Sequence, residues 1–208
     1  MKNKIISLLL LFCLVFSGCS IFPPQKDNSR FYTLGDHFAP DKRIREIDGK
    51  TIVINLLLDE IPSYADYPYV VVKSANNELI FSENSRWAEP FGDACMRILL
   101  ERTSACLNDR AIIVSSMHTI GNVLVCDYRL SIDFDDVIYN DSEKSVILRC
   151  VWSLFDYKQR KQIYLSRYSS ATPVTVENID DVIGAMKIAL SKLAEDIAEK
   201  ISQLDIFK

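Results

Sequence analysis

Residues 124–134, LVCDYRLSIDF, decide the fold. Leu124, Cys126, Tyr128, Leu130, Ile132 and Phe134 fall on one side, and Asp127, Arg129, Ser131, Asp133 and then Asp135 on the other. A period of two over this length is a strand with one buried and one wet face. Asn140-Asp141-Ser142 supplies a turn, after which Val146, Leu148, Cys150, Trp152 and Leu154 repeat the alternation on the way back. A polar turn at 158–161 leads to a third strand over 163–168. Three strands with short connections read as an antiparallel meander.

The flanking segments complete the architecture. A short strand is expected over 31–34, a charged loop over 36–50, and a buried strand over 51–58 (TIVINLLL). A strand at 69–73 follows Pro62 and Pro68, and Asn76-Asn77 turns the chain into a return strand at 79–81, while 111–115 is another short strand. Two helices are expected. In the first, 89–107, Phe91, Ala94, Cys95, Ile98 and Leu99 form one stripe, with Pro90 in the first turn. The second, 178–204, starts at the N-cap Asn178 with Asp180 and Asp181 at its positive end, and its stripe runs from Ile179 to Leu204. Such a stripe fits either a coiled-coil seam or a sheet, and a sheet with a face to cover favours the second. The expected fold is α+β, a mainly antiparallel sheet with two long helices packed on one face.

The amino-terminal segment sets the compartment. Lys2 and Lys4 precede an almost wholly apolar stretch, 5–16, which is shorter than the roughly 20 residues a membrane span needs. Ser17-Gly18 directly before Cys19 resembles the lipobox of bacterial lipoproteins, which implies cleavage before Cys19 and acylation of its sulfur. The expected organisation is a leader over 1–18, a lipidated tether over 19–29 with the Pro23-Pro24 pair, and one exported domain over 30–208. With 24 basic and 28 acidic side chains the formal charge is −4, and loss of Lys2 and Lys4 would take it to about −6. That balance speaks against nucleic acid, whose binding rests on neutralising phosphates. Membrane attachment would come from the acyl chains.

Cys95, Cys106, Cys126 and Cys150 remain in the exported part, each on an apolar face of its pattern. Buried thiols are the favoured reading, with one disulfide among them left open. Cys95 and Cys106 on one helix would lie about 16 Å apart along it, too far to bridge each other. No zinc-type spacing of Cys or His occurs, and no cofactor or metal is expected. No catalytic constellation is legible either. His37 and His118 lack a partner at a recognisable spacing, the pair Ser116 and His118 is poorly placed, and Asp133, Asp135 and Asp136 read as a solvated face.

The densest unusual segment is Ser85-Arg86-Trp87-Ala88-Glu89-Pro90, expected at the start of the first helix. Arg86 and Glu89 could pair around the Trp87 ring, or the segment could lock the helix start. Tyr64, Asp66, Tyr67 and Pro68 form a second cluster, a Tyr-rich loop suited to partner contacts or to packing.

Together with the lipobox, Phe31-Tyr32-Thr33-Leu34, Ile61-Pro62-Ser63-Tyr64 and the Val-rich strand at 69–73, these motifs resemble the ABC-type transport auxiliary lipoproteins, the family that includes the paraquat-inducible protein C group. The resemblance spans residues 19–204. It implies a periplasmic, non-catalytic auxiliary subunit that works with an MCE-domain protein and an inner-membrane permease in moving lipids or other hydrophobic molecules. It also allows homo-oligomers, and Ser20 after the acylated Cys is the kind of residue associated with export to the outer membrane. The alternative is a stand-alone envelope lipoprotein binding a small hydrophobic ligand between sheet and helices, which a sizeable apolar pocket would favour. Radiolabelled palmitate is expected to mark the wild-type chain in cells and to be absent from Cys19→Ser, which should also leave the membrane fraction.

Overall fold

The structure is a computed structural model that describes residues 26–35, 52–107, 112–116 and 126–204. In chain order the elements are β1 (Arg30–Tyr32), β2 (Ile52–Glu60), a 3-10 turn (Ser63–Asp66), β3 (Tyr69–Lys73), β4 (Leu79–Trp87), α1 (Phe91–Leu107), β5 (Ile112–Ser115), β6 (Tyr128–Asn140), β7 (Ser145–Asp156), β8 (Lys161–Pro173) and α2 (Ile179–Gln203). The expected loop at 36–50, together with His37 and His118, lies outside the described residues, as does Cys19.

The meander forms as the alternation requires. β6 pairs antiparallel with β7 and β7 with β8 over nearly their whole lengths. Val146, Leu148, Cys150, Trp152 and Leu154 are all at most 1% exposed, whereas Arg149 between them is exposed. β8 runs well past the expected 163–168, because its Ser and Tyr residues pair with β7 without offering a clear hydrophobic period.

Both helices lie on the face carrying these β7 residues. α2 begins where expected. The Asn178 side chain accepts from the backbone N–H groups of Asp180 and Asp181, and the Asp181 carboxylate accepts from Asn178 N–H, a reciprocal capping box. Val182, Met186, Leu190, Leu193, Ile197 and Ile201 are buried, and so are Ala185, Ala189, Ala194 and Ala198 beside them. These alanines widen the buried stripe with side chains small enough for close approach, and α2 packs on both α1 and the sheet.

Among the described residues the sheet is eight-stranded and mixed. Its long ladders are antiparallel, while β1 with β4, β2 with β5, and both β2 and β3 with β6 pair in parallel. One edge of β6 belongs to β7. The opposite edge is divided: β2 pairs with it from Tyr128 to Asp133, and β3 joins only at Tyr139 and Asn140. Between the two contacts β6 carries a bulge at Phe134/Asp136, which adds a residue and bends the strand. Residues 61–68 cross this gap.

Tyr64, in the 3-10 turn, closes it. Its hydroxyl accepts from Val137 N–H at 3.1 Å and donates to the Asp136 carboxylate at 3.3 Å, and Asp136 is in turn ion-paired with Arg149. The sequence placed Tyr64 in an exposed aromatic loop; instead it is half-buried, because an edge N–H with no neighbouring strand needs an acceptor. Burial pushes the phenol well above its ordinary range, so it stays protonated and keeps its donor. Tyr64→Phe is expected to cost about 1–2 kcal/mol through the abandoned Val137 N–H, read as a shift in urea midpoint with an unchanged slope.

Candidate functional site

The Arg86–Pro90 segment does not sit on a helix. Ser85, Arg86 and Trp87 belong to β4, which continues well beyond the expected 79–81, and α1 starts only at Phe91. The extension is set by neighbours: Arg30, Phe31 and Tyr32 of β1 pair in parallel with Ser85, Arg86 and Trp87. Trp87 N–H donates to Pro68 C=O at 2.9 Å, and Ala88 N–H to Tyr32 C=O at 2.8 Å, so two adjacent residues are stitched to both flanking motifs. Pro90 stands just before the helix, and its carbonyl accepts from Asp93 and Ala94 N–H. Its missing N–H costs nothing there. Trp87 is buried and packs on Phe91 with ring centroids 4.9 Å apart.

Glu89 and Arg86 do not pair around this ring. Arg86 and Glu89 are separated by the turn out of β4, and Arg86 instead lies over the Tyr69 ring at 5.6 Å. Glu89 takes a bidentate ion pair from Arg97, two turns into α1, with both N···O distances 2.6 Å. Thr33 completes the arrangement: its hydroxyl donates to Glu89 at 2.7 Å and accepts from Arg97 at 3.2 Å. Gly35 passes so close that a Cβ there would lie 3.1 Å from the guanidinium. The pair therefore clamps the end of β1 to the start of α1. The sequence pattern put Arg97 outside the apolar stripe but carries no spacing that joins it to Glu89.

Around this clamp lies an open groove of about 540 Å³. Ile61, Trp87 and Phe91 supply apolar walls, while Asp66, Tyr67, Pro68, Ala88, Pro90 and Asp93 border it and are exposed. The two motif clusters read from sequence thus meet in space. Tyr64 and Arg86 do not line the groove. Tyr67 is 54% exposed and sets its ring edge-on to Phe81, centroids 5.2 Å apart. A second groove of about 310 Å³, sharing Ile61, Gly92 and Asp93 with the first, continues along α1 past Met96 to the end of β2. Gly92 lies on the seam, where a Cβ would come into ordinary contact with the Ile61 side chain at 3.4 Å. Gly92, Asp93 and the β2 carboxylates Asp59 and Glu60 were not singled out from sequence, which carries no motif for a groove wall.

A small pocket open to the surface, bounded by Tyr64, Trp87, Phe91, Val137 and Met186, holds about 10 Å³, room for at most one water. Among the described residues no group of three or more His, Cys, Asp or Glu is placed to hold a metal ion, and no helix is long and apolar enough to cross a membrane. The four cysteines are free thiols. Cys95 and Cys150 are buried, burial pushing Cys150 up to about 12, and Cys126 is half-buried. Cys106, expected on an apolar face, is exposed because it lies beside that stripe on the last turn of α1.

Glu89→Gln is expected to cost about 1–3 kcal/mol by removing charge from a bidentate pair, and to cost much less in an Arg97→Met background. A double-mutant cycle by urea unfolding measures that coupling.

Two solved structures share the fold. A crystal structure of an uncharacterized protein superposes with a TM-score of 0.65 at 16% identity, covering 84% of this chain and 99% of its own. A protein from Xanthomonas campestris superposes at 0.63, also at 16% identity, covering 85% and 100%. No curated protein matches the sequence. The family model for the ABC-type transport auxiliary lipoprotein component matches residues 32–198, which takes in the Glu89–Arg97 clamp and the residues lining both grooves, and the chain belongs to that family.

Proposed function

We propose that this protein is a lipid-anchored, non-catalytic adaptor of an MCE-type envelope transport system. In this reading acylated Cys19 holds it on the periplasmic face of the outer membrane, and the groove between the 66–68 and 87–93 segments docks a protein of the system, the MCE-domain protein or a component joined to the permease. The observation that carries the reading is the open groove built jointly by both motif clusters on the buried Trp87 and Phe91. Docking needs an accessible, pre-formed surface with aromatic anchors, and Tyr67, Pro68, Ala88 and Pro90 are exposed on a frame fixed by Trp87 and the clamp. The pocket of about 10 Å³ between Tyr64, Trp87 and Met186 is too small to seat a hydrophobic ligand. The cargo would then be handled by the partners, with this chain supplying position.

The test is photocrosslinking in cells from probes placed at Tyr67 and at Ala88, with Leu165 on β8 as control. Tyr67 and Ala88 are expected to trap a protein carrying an MCE domain, and Leu165, exposed but remote from the groove, is expected to trap none. Capture of the same partner equally from Leu165, or of no protein from either groove position, sinks the docking reading.

A further inference from the structure

The two linked grooves have a one-sided charge. Among the described residues Asp59, Glu60, Asp66, Glu89 and Asp93 line them, and no described Lys or Arg does. Among the described ion pairs, Arg97 answers Glu89. The positive end of α1 offsets about half a charge against the remaining four carboxylates. The negative potential extends to the neighbouring sheet face, where Asp133 is held above the usual carboxylate range, by burial first and then by Asp59, Glu60 and Asp135. Beneath the carboxylates the walls are apolar: Ile61, Trp87 and Phe91 in one groove, Leu58 and Met96 in the other.

A single metal ion does not fit this pattern, because the carboxylates are distributed along the wall and form no metal-binding group among the described residues. A small hydrophobic molecule would leave them unanswered. What satisfies the whole surface is a chain bearing several cations spaced by apolar side chains, a polypeptide whose Lys or Arg residues meet Asp66, Asp93, Asp59 and Glu60 while the residues between them reach the apolar walls. Tyr67 offers an exposed ring face to a guanidinium at one end. We infer that the groove along the start of α1 is a docking site for a cationic, partly apolar segment of a partner protein. The inference rests on the docking reading above and adds the chemistry of the segment bound.

The probe is a fluorescein-labelled peptide of alternating leucine and arginine, with its leucine–glutamate counterpart, titrated by anisotropy against the full-length protein in non-ionic detergent. The arginine peptide is expected to bind and the glutamate peptide not, with affinity falling about tenfold or more as salt rises from about 50 to about 300 mM. Asp66→Asn with Asp93→Asn should weaken binding at least about tenfold, and Asp66→Lys with Asp93→Lys should reverse the preference between peptides. Both sites are exposed, and an unchanged circular-dichroism melt verifies the fold. Glu195→Gln with Glu199→Gln, exposed on α2 near the far end of α1, should leave affinity within about twofold. Equal binding of both peptides, or equal loss from the Glu195/Glu199 variant, overturns the inference. If cells show partner crosslinks at Tyr67 and Ala88 while no cationic peptide binds, docking stands and the cationic segment falls.

Discussion

A single strand edge serving two neighbours constrains most of this molecule. β6 accepts β2 along its first half and β3 only at its end, and the bulge at Phe134/Asp136 falls between the two contacts. A strand cannot leave a run of edge N–H and C=O groups buried without partners. The chain between β2 and β3 must therefore cross the gap and bring an acceptor with it, and Tyr64 does so. Once that crossing is fixed, Pro68 C=O lies within reach of Trp87 N–H. The direction of β4 and the start of α1 follow from there.

The groove is a consequence of this arrangement. Its walls come from the crossing segment, from the end of β4 and from the first turns of α1, three pieces distant in sequence that meet because β6 divides its edge. Trp87 is held from both sides, by Pro68 and, through Ala88, by Tyr32, so the exposed residues around it ride on a rigid support. Glu89 adds a lateral tie to Arg97 and Thr33. Such a surface is suited to recognition with little reorganisation.

Much of this was legible from residue order. The five inward residues of β7 and the capping box at Asn178 appear where periodicity and N-cap chemistry place them. The α+β class follows from the same patterns. What could not be read was non-local. Nothing near Tyr64 announces an edge N–H at Val137, more than seventy positions away. Ser85-Arg86-Trp87 has no strand period of its own, and is a strand because β1 pairs on one side of it and Tyr69 of β3 on the other. Glu89 and Arg97 are too far apart for a one-turn helical pair, and the third partner, Thr33, lies in another motif. The length of β8 was hidden because ladder pairing, which side chains record poorly, sets it. The two motif clusters meet at the groove and supply two of its carboxylates, Asp66 and Glu89, while Asp59, Glu60 and Asp93 carry no signature in the sequence.

The attachment of β1 also determines how the domain bears mechanical load. The described chain enters the sheet through three residues, paired in parallel with the end of β4, and the next firm hold is Thr33 at the Glu89–Arg97 pair. Tension arriving from the amino-terminal side would meet this short strand first and the ionic knot second, before any long ladder was stressed. The β6–β7–β8 meander and α2 lie beyond both, so a pull could loosen the region around the groove while the bulk of the domain stayed folded.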